Sequence, residues 1–193
     1  MEITMAHNWD DDAQLWEANP AHVEFNVAAF EQLVQLVNIE GKRILDLGCG
    51  TGLLSQQMAP FAKDIVALDS SEEMIEELDK KQLRNVEPVV DALSRGLVAQ
   101  HPAFRGQFDL IVAASVCQFI EDLPTALTIA RSLLEVDGWF VHWDWLDNQG
   151  MSAQAIEAAL LDADFVDVRV MTPFDISLNG QARAVVMGLG RRR

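Results

Sequence analysis

Apolar positions divide the chain into alternating segments of two periods. Residues 21–37 (AHVEFNVAAFEQLVQLV) place Val23, Val27, Phe30, Leu33, Val34 and Val37 at helical spacing, which predicts an amphipathic helix after Pro20. Four short runs follow, at 44–47, 65–68, 86–90 and 108–114, and read as strands of a mostly parallel sheet, with 65–68 buried and the nearly all-apolar 108–114 central. Pro88 limits the hydrogen bonding of the third. Helices are expected at 53–62 and 124–135 and after Ser70 or Ser71, where either serine can cap and Glu72 and Glu73 sit in the positive first turn. Asp137-Gly138 predicts a turn into a fifth strand, Trp139 to Trp145. A helix at 152–162 and strands at 165–171 and 183–189 complete the pattern. The turn-rich residues between the last two strands carry no helical period, which predicts an antiparallel hairpin at the sheet edge. Strands alternating with helices predict an α/β three-layer sandwich, with a seven-stranded, mostly parallel sheet and an antiparallel C-terminal hairpin strand. Residues 1–38 read as an N-terminal lid and helix and 39–193 as a ligand-binding domain, together one globular unit.

Bulk properties narrow the partners. At 193 residues the chain suits one domain with a full core. No apolar run approaches the roughly 20 residues that span a bilayer. The opening MEITMAHNWDDD has neither the basic nor the apolar region of a secretory signal. Cys49 and Cys117 lack disulfide or zinc spacing, so a reducing cytoplasm is expected. A net charge of −16 repels polyanions, and the basic cluster Arg191-Arg192-Arg193 reads as a loose tail. Nucleic acid and anionic membrane are therefore not expected partners.

Residues 44–52 read Ile-Leu-Asp-Leu-Gly-Cys-Gly-Thr-Gly. An apolar strand runs into Asp46, and glycines at 48, 50 and 52 lead into a helix. Gly48 and Gly50 allow a tight turn and a close ligand approach. The helix start aims free N–H groups at that ligand. The G-x-G-x-G spacing differs from the G-x-G-x-x-G of dinucleotide folds. Asp46 suits a ligand with an ammonium and a sulfonium rather than a pyrophosphate. Asp69, at the end of the second strand, can accept both hydroxyls of a ribose. Asp91, after the third strand, can accept from an adenine amino group. Ser115 follows the fourth, where backbone carbonyls can hold an amine.

These residues resemble the class I S-adenosylmethionine-dependent methyltransferases, over about residues 40–190. ILDLGCGTG matches the glycine motif, ALDSSEEM at 67–74 is similar to the second motif and VVDAL at 89–93 to the third. FDLIVAASVCQFIED at 108–122 resembles the fourth-strand motif, with Gln118-Phe119 where many small-molecule members have Gln-Trp or His-His. Val136-Asp137-Gly138 stands in place of Pro-Gly-Gly before strand five. The resemblance implies a Rossmann-like fold, S-adenosylmethionine as cofactor and S-adenosylhomocysteine as product. It implies a cofactor site of Asp46, Gly48, Cys49, Gly50, Asp69, Ser70, Met74, Asp91, Ala92 and Ser115. Trp9-Asp-Asp-Asp-Ala-Gln-Leu-Trp16 is similar to a segment that folds over the cofactor in small-molecule members, with Trp16 in place of a tyrosine. Trp9, Trp16, Gln118 and Trp143 are the expected lid and acceptor-pocket residues.

The resemblance implies methyl transfer to a small-molecule acceptor by a monomer or homodimer. The alternatives are a non-catalytic cofactor-binding subunit and an enzyme acting on protein or RNA. Asn-Pro-Pro-Tyr, the mark of base amino-group methylation, is absent after strand four. Asp147-Asn148 matches one ligand pair of the metal-dependent relatives, but no aspartate ends strand four, so no metal is expected. If the acceptor loses a proton, His22 and His142 are the candidate bases, although each is more readily a packed histidine. Cys49 reads as a backbone contact rather than a nucleophile.

Overall fold

A computed structural model describes residues 8–146, 151–178 and 180–193. A 3-10 helical segment, Trp9–Ala18, leads into α1 (Pro20–Leu36). Then follow β1 (Arg43–Leu47), α2 (Leu53–Met58), β2 (Asp64–Asp69), α3 (Glu72–Asp79), β3 (Val86–Val90) and α4 (Arg95–Gln100). The second half is β4 (Phe108–Ala114), α5 (Leu123–Leu133), β5 (Leu134–Trp145), α6 (Ala153–Asp162), β6 (Val166–Leu178) and β7 (Gln181–Arg191). The strands form one sheet in the order β3-β2-β1-β4-β5-β7-β6. The first five are parallel, and β7 runs antiparallel between β5 and β6. This is the expected Rossmann-like α/β sheet.

Strand alternation sends side chains into two cores. Ile44, Ile65, Leu110, Val112, Val141 and Trp143 pack with Phe25, Ala29 and Leu33 of α1 and Leu54 and Met58 of α2. Leu45, Leu47, Ile111, Ala113 and Phe140 pack on the other face with Leu127, Ala130 and Leu133 of α5 and Ile156 and Leu160 of α6. The N-terminal helix α1 thus shares the core of the sheet. Local signals fix the helix starts: Asn19 accepts from the Ala21 N–H, Ser71 from Met74, Asp122 from Thr125 and Ser152 from Ala155. Of the two candidate serines it is Ser71 that caps α3.

Three expectations are corrected. The last hairpin is longer than its apolar pattern, because β6 continues through Pro173 to Leu178 and β7 begins at Gln181. Pro173 lies at a register shift between Met171 and Phe174 on an edge strand, where a missing donor is tolerated. Asp137-Gly138 is not a turn ahead of β5 but part of that strand, which starts at Leu134. Asp137 has φ +67° beside a register irregularity, and its N–H donates to the Arg192 carbonyl. Two of the three terminal arginines are tied rather than loose. Arg191 pairs with Asp137 and Asp167, and Arg192 donates to the Leu134 carbonyl.

Candidate functional site

Between β1 and β4 the sheet order reverses, so the loops after these strands diverge and leave a crevice at the carboxyl edge. A cavity of about 880 Å³ opens there, within the range of small-ligand sites, and it has lining residues from every strand end from β3 to β5. Gly48 and Gly50 adopt φ +66° and +54°. A Cβ on Gly48 would lie 2.3 Å from a methyl of Val116, so its absence lets the loop after β4 close against the glycine turn. A Cβ on Gly50 would meet only Met74 Sδ and the Trp16 indole nitrogen, at 3.9 and 4.0 Å. That position is open to a ligand.

Asp46 is 1% exposed and accepts a 2.6 Å hydrogen bond from the Ser55 hydroxyl. Burial is the main cause that pushes its carboxyl up to about 6, with the nearby Asp69 adding to it and Ser55 opposing. Asp69 accepts from the Gly50 N–H at 2.8 Å and the Ser71 N–H at 2.9 Å. Burial raises its carboxyl despite those two donors. Burial, reinforced by Asp46 and Asp69, also lifts the Cys49 thiol well above its usual range. Cys49 is therefore no thiolate nucleophile. Ser115 holds φ +60°, a strained conformation for a non-glycine residue at a site. Gln118 donates to its hydroxyl at 3.4 Å.

The N-terminal 3-10 segment covers the glycine turn. Ser71 donates to Asp10 at 2.5 Å, and Glu17 accepts from Thr51 at 2.7 Å and pairs with Lys81 at 2.6 Å. Trp9 packs edge-on against Trp16 and Phe119, with ring centres 6.1 and 4.8 Å apart. Trp16 stacks on His22 with centroids 3.7 Å apart. The His22 Nδ1 lies 2.9 Å from the Trp16 carbonyl oxygen. A carbonyl only accepts, so Nδ1 donates to it, and Nε2 lies 3.4 Å from the Asn19 side-chain amide nitrogen.

Asp46, Gly48, Cys49, Gly50, Asp69, Ser70, Met74, Asp91, Ala92 and Ser115 all line the cavity, as do Trp9, Trp16, Gln118 and His22. Two expected residues do not. Trp143 is fully buried in the core beneath α1, and the next residue of its face, Trp145, reaches the cavity instead. His142 is 3% exposed on the opposite face of β5, with its Nδ1 2.7 Å from Asp144. Asp144 also accepts from the Gln118 N–H, and Cys117 lies in the same buried cluster. That network braces the loop carrying Gln118 and Phe119. Asp147-Asn148 lies outside the described residues. Sequence reasoning missed Phe25, Asn26, Trp145 and Arg183, which line the cavity between α1 and the β5–β7 edge. Trp145 shares the face of Trp143 at the end of the expected fifth strand, which is the signal that could have found it. Arg183 is the first residue of the expected last strand, and an arginine at a strand start carries no ligand signal of its own.

Comparison with known proteins agrees with this geometry. The methyltransferase-domain family matches residues 20–182. The ubiquinone biosynthesis O-methyltransferase of Paraburkholderia phymatum is 28% identical over 137 residues, covering 70% of this chain and 56% of that protein. That of Ralstonia nicotianae is 26% identical over 164 residues, covering 84% and 65%. The chain thus spans between half and two thirds of these relatives. Among solved structures, the DhpI complex with SAH superposes with a TM-score of 0.73 at 20% identity, covering 95% of this chain and 93% of that one. A SAM-dependent methyltransferase from Aquifex aeolicus gives 0.70 at 18%, covering 97% and 100%. The glycine turn, the carboxylates aligned along the sheet edge and the match over most of its length together make this chain a member of the methyltransferase-domain family.

Proposed function

We propose that this protein transfers a methyl group from S-adenosylmethionine to a small-molecule acceptor. The observation that carries the reading is the arrangement around the glycine turn. Gly50 presents no side chain to the cavity, Asp46 and Asp69 flank it, and Asp91 stands one strand further along the same edge. Such a cradle fits a ligand that is cationic at one end and a nucleoside at the other. Asp46 lies where a sulfonium or ammonium offsets its burial. Asp69 keeps acceptor capacity for ribose hydroxyls beyond its two backbone donors. Met74 and Ala92 border the adenine position, and Asp91 accepts from its amino group.

Bound there, S-adenosylmethionine would supply a methyl carbon already activated by the adjacent sulfonium. The chain's residues then align the acceptor, exclude water and hold protons. The N-terminal segment, held through Asp10 and Glu17, is the proposed cover of the bound cofactor. His22, which lines the cavity, is the candidate base for a hydroxyl acceptor, through Nε2 once the acceptor displaces the Asn19 amide. His142, buried away from the cavity, is not.

The relatives named for O-methylation in ubiquinone biosynthesis support a hydroxyl as the acceptor group. The test is formation of S-adenosylhomocysteine with a panel of small hydroxylated acceptors. We expect turnover with at least one, and we expect His22→Ala to lower kcat about 10²-fold while cofactor affinity stays unchanged. A His22→Ala protein with wild-type kcat on a hydroxyl acceptor would remove the proposed base.

A further inference from the structure

The cavity has two chemically different ends. At the ends of β1, β2 and β3 stand Asp46, Asp69 and Asp91. Across β4, on the β7 side, stands Arg183, the one lysine or arginine among the described lining residues. In the sheet β7 lies three strand spacings from β1, about 14 Å. That separation sets Arg183 apart from the glycine turn.

The side chain of Arg183, an exposed residue near the start of β7, has no hydrogen-bond or ion-pair partner among the described residues, in a chain whose net charge is −16. Its guanidinium instead lies over the Trp145 ring, 5.2 Å from the centroid. Stacking on a ring orients a guanidinium and leaves its N–H fork free for a planar acceptor group. Trp145 is in turn braced by Phe25, with centroids 5.1 Å apart. Asn26 lines the same end of the cavity, and His22 precedes it by one helical turn on α1.

We propose that Arg183, oriented by Trp145, is the specificity-determining residue for the acceptor, and that the acceptor is a small ring compound bearing a carboxylate. Arginine's fork matches a carboxylate bidentately. Five carboxylates among the other lining residues (Asp12, Asp46, Asp69, Asp91 and Glu121) disfavour an anion elsewhere in the cavity, so the acid is confined to one orientation. The ring then lies against Trp145 and Phe25. The proposal rests on the methyl-transfer reading for the name of the bound molecule, but the selectivity itself belongs to the chain.

The test uses 4-hydroxybenzoate, 4-hydroxybenzamide and tyramine, which share a phenol ring and differ in charge. Their binding is measured by ligand-observed NMR at millimolar concentration, with and without saturating S-adenosylhomocysteine. We expect the acid to bind at least about tenfold tighter than the amide or the amine. Arg183→Gln is expected to erase that preference, Arg183→Lys to retain part of it, and both to bind S-adenosylhomocysteine as wild type does. Equal binding of acid and amide overturns the proposal, as does binding of none. So does a preference that survives Arg183→Gln. Parallel loss of S-adenosylhomocysteine affinity in Arg183→Gln would assign the arginine to the cofactor instead. Failure of the wild type to bind S-adenosylhomocysteine, with the acid preference intact, would count against the cofactor reading alone.

Discussion

Asp46 is protonated in the free protein up to a pH of about 6, because burial penalises its charge more than Ser55 relieves it. An ordinary carboxylate ionises near 3.8. The sign of two pH effects follows. Because the folded value is raised, Asp46 contributes stability to the free fold that is fully present below about 3.8 and is lost as pH rises through about 6. A cationic ligand beside it favours the ionised form, so cofactor affinity has the opposite trend. It is highest above pH 6 and falls as pH drops through that value. Calorimetry at pH 5 and pH 7.5 should show this fall for wild type and a flat, weaker profile for Asp46→Asn. At the same scale, Gly50→Val puts a branched side chain at φ +54° and into the cavity, and Asp69→Ala removes the proposed ribose acceptor. Each is expected to weaken cofactor binding at least tenfold in a folded protein, about 1.4 kcal/mol. Asp46, Asp69 and Asp91 were legible in the sequence because each ends a strand whose apolar run marks its place. Trp143 was misassigned because alternation names a face of the sheet but not the depth along it.

Elements fix what single residues cannot. The 3-10 segment Trp9–Ala18 is held by side chains that reach across the chain: Asp10 to Ser71, and Glu17 to Thr51 and Lys81. Nothing local in the sequence pairs Glu17 with Lys81, and that latch was invisible until the fold closed. Asn19 begins α1 and caps it, so removal of residues 1–18 leaves the helix start intact. The shortened protein is expected to fold, by circular dichroism, and to release cofactor faster in stopped-flow measurements. An unchanged release rate would discard the clamp. On the opposite face, Asp144 gathers His142 Nδ1 and the Gln118 N–H in a buried site. Asp144→Ala strands those donors and is expected to cost roughly 3 kcal/mol in denaturant unfolding. The β6–β7 hairpin was misread for a related reason. Its central residues alternate between partly buried and exposed on an edge strand, so turn-prone residues such as Pro173 and Asp175 outweighed the strand signal.

The whole molecule places its charges as its proposed chemistry requires. Asp46, Asp69 and Asp91 stand at the β1–β3 ends of the cavity, the proposed place of the cationic cofactor, and Arg183, the one arginine among the described lining residues, marks the far side. The mostly parallel sheet and its antiparallel C-terminal strand were legible from the alternation of apolar runs with helices, because each run fits only one layer of the sandwich; the strand order was not. The acceptor end was not, since it is assembled from α1, β5 and β7, segments remote in sequence. No described helix is long and apolar enough to cross a membrane. Calorimetric titration of the purified chain with S-adenosylmethionine, S-adenosylhomocysteine and NADH asks whether the cavity binds the adenosyl cofactor through the glycine turn and its flanking carboxylates. Micromolar binding of the first two, about −8 kcal/mol, and none of NADH is expected. A folded, ligand-free protein that binds neither adenosyl compound, or that prefers NADH, would overturn that assignment.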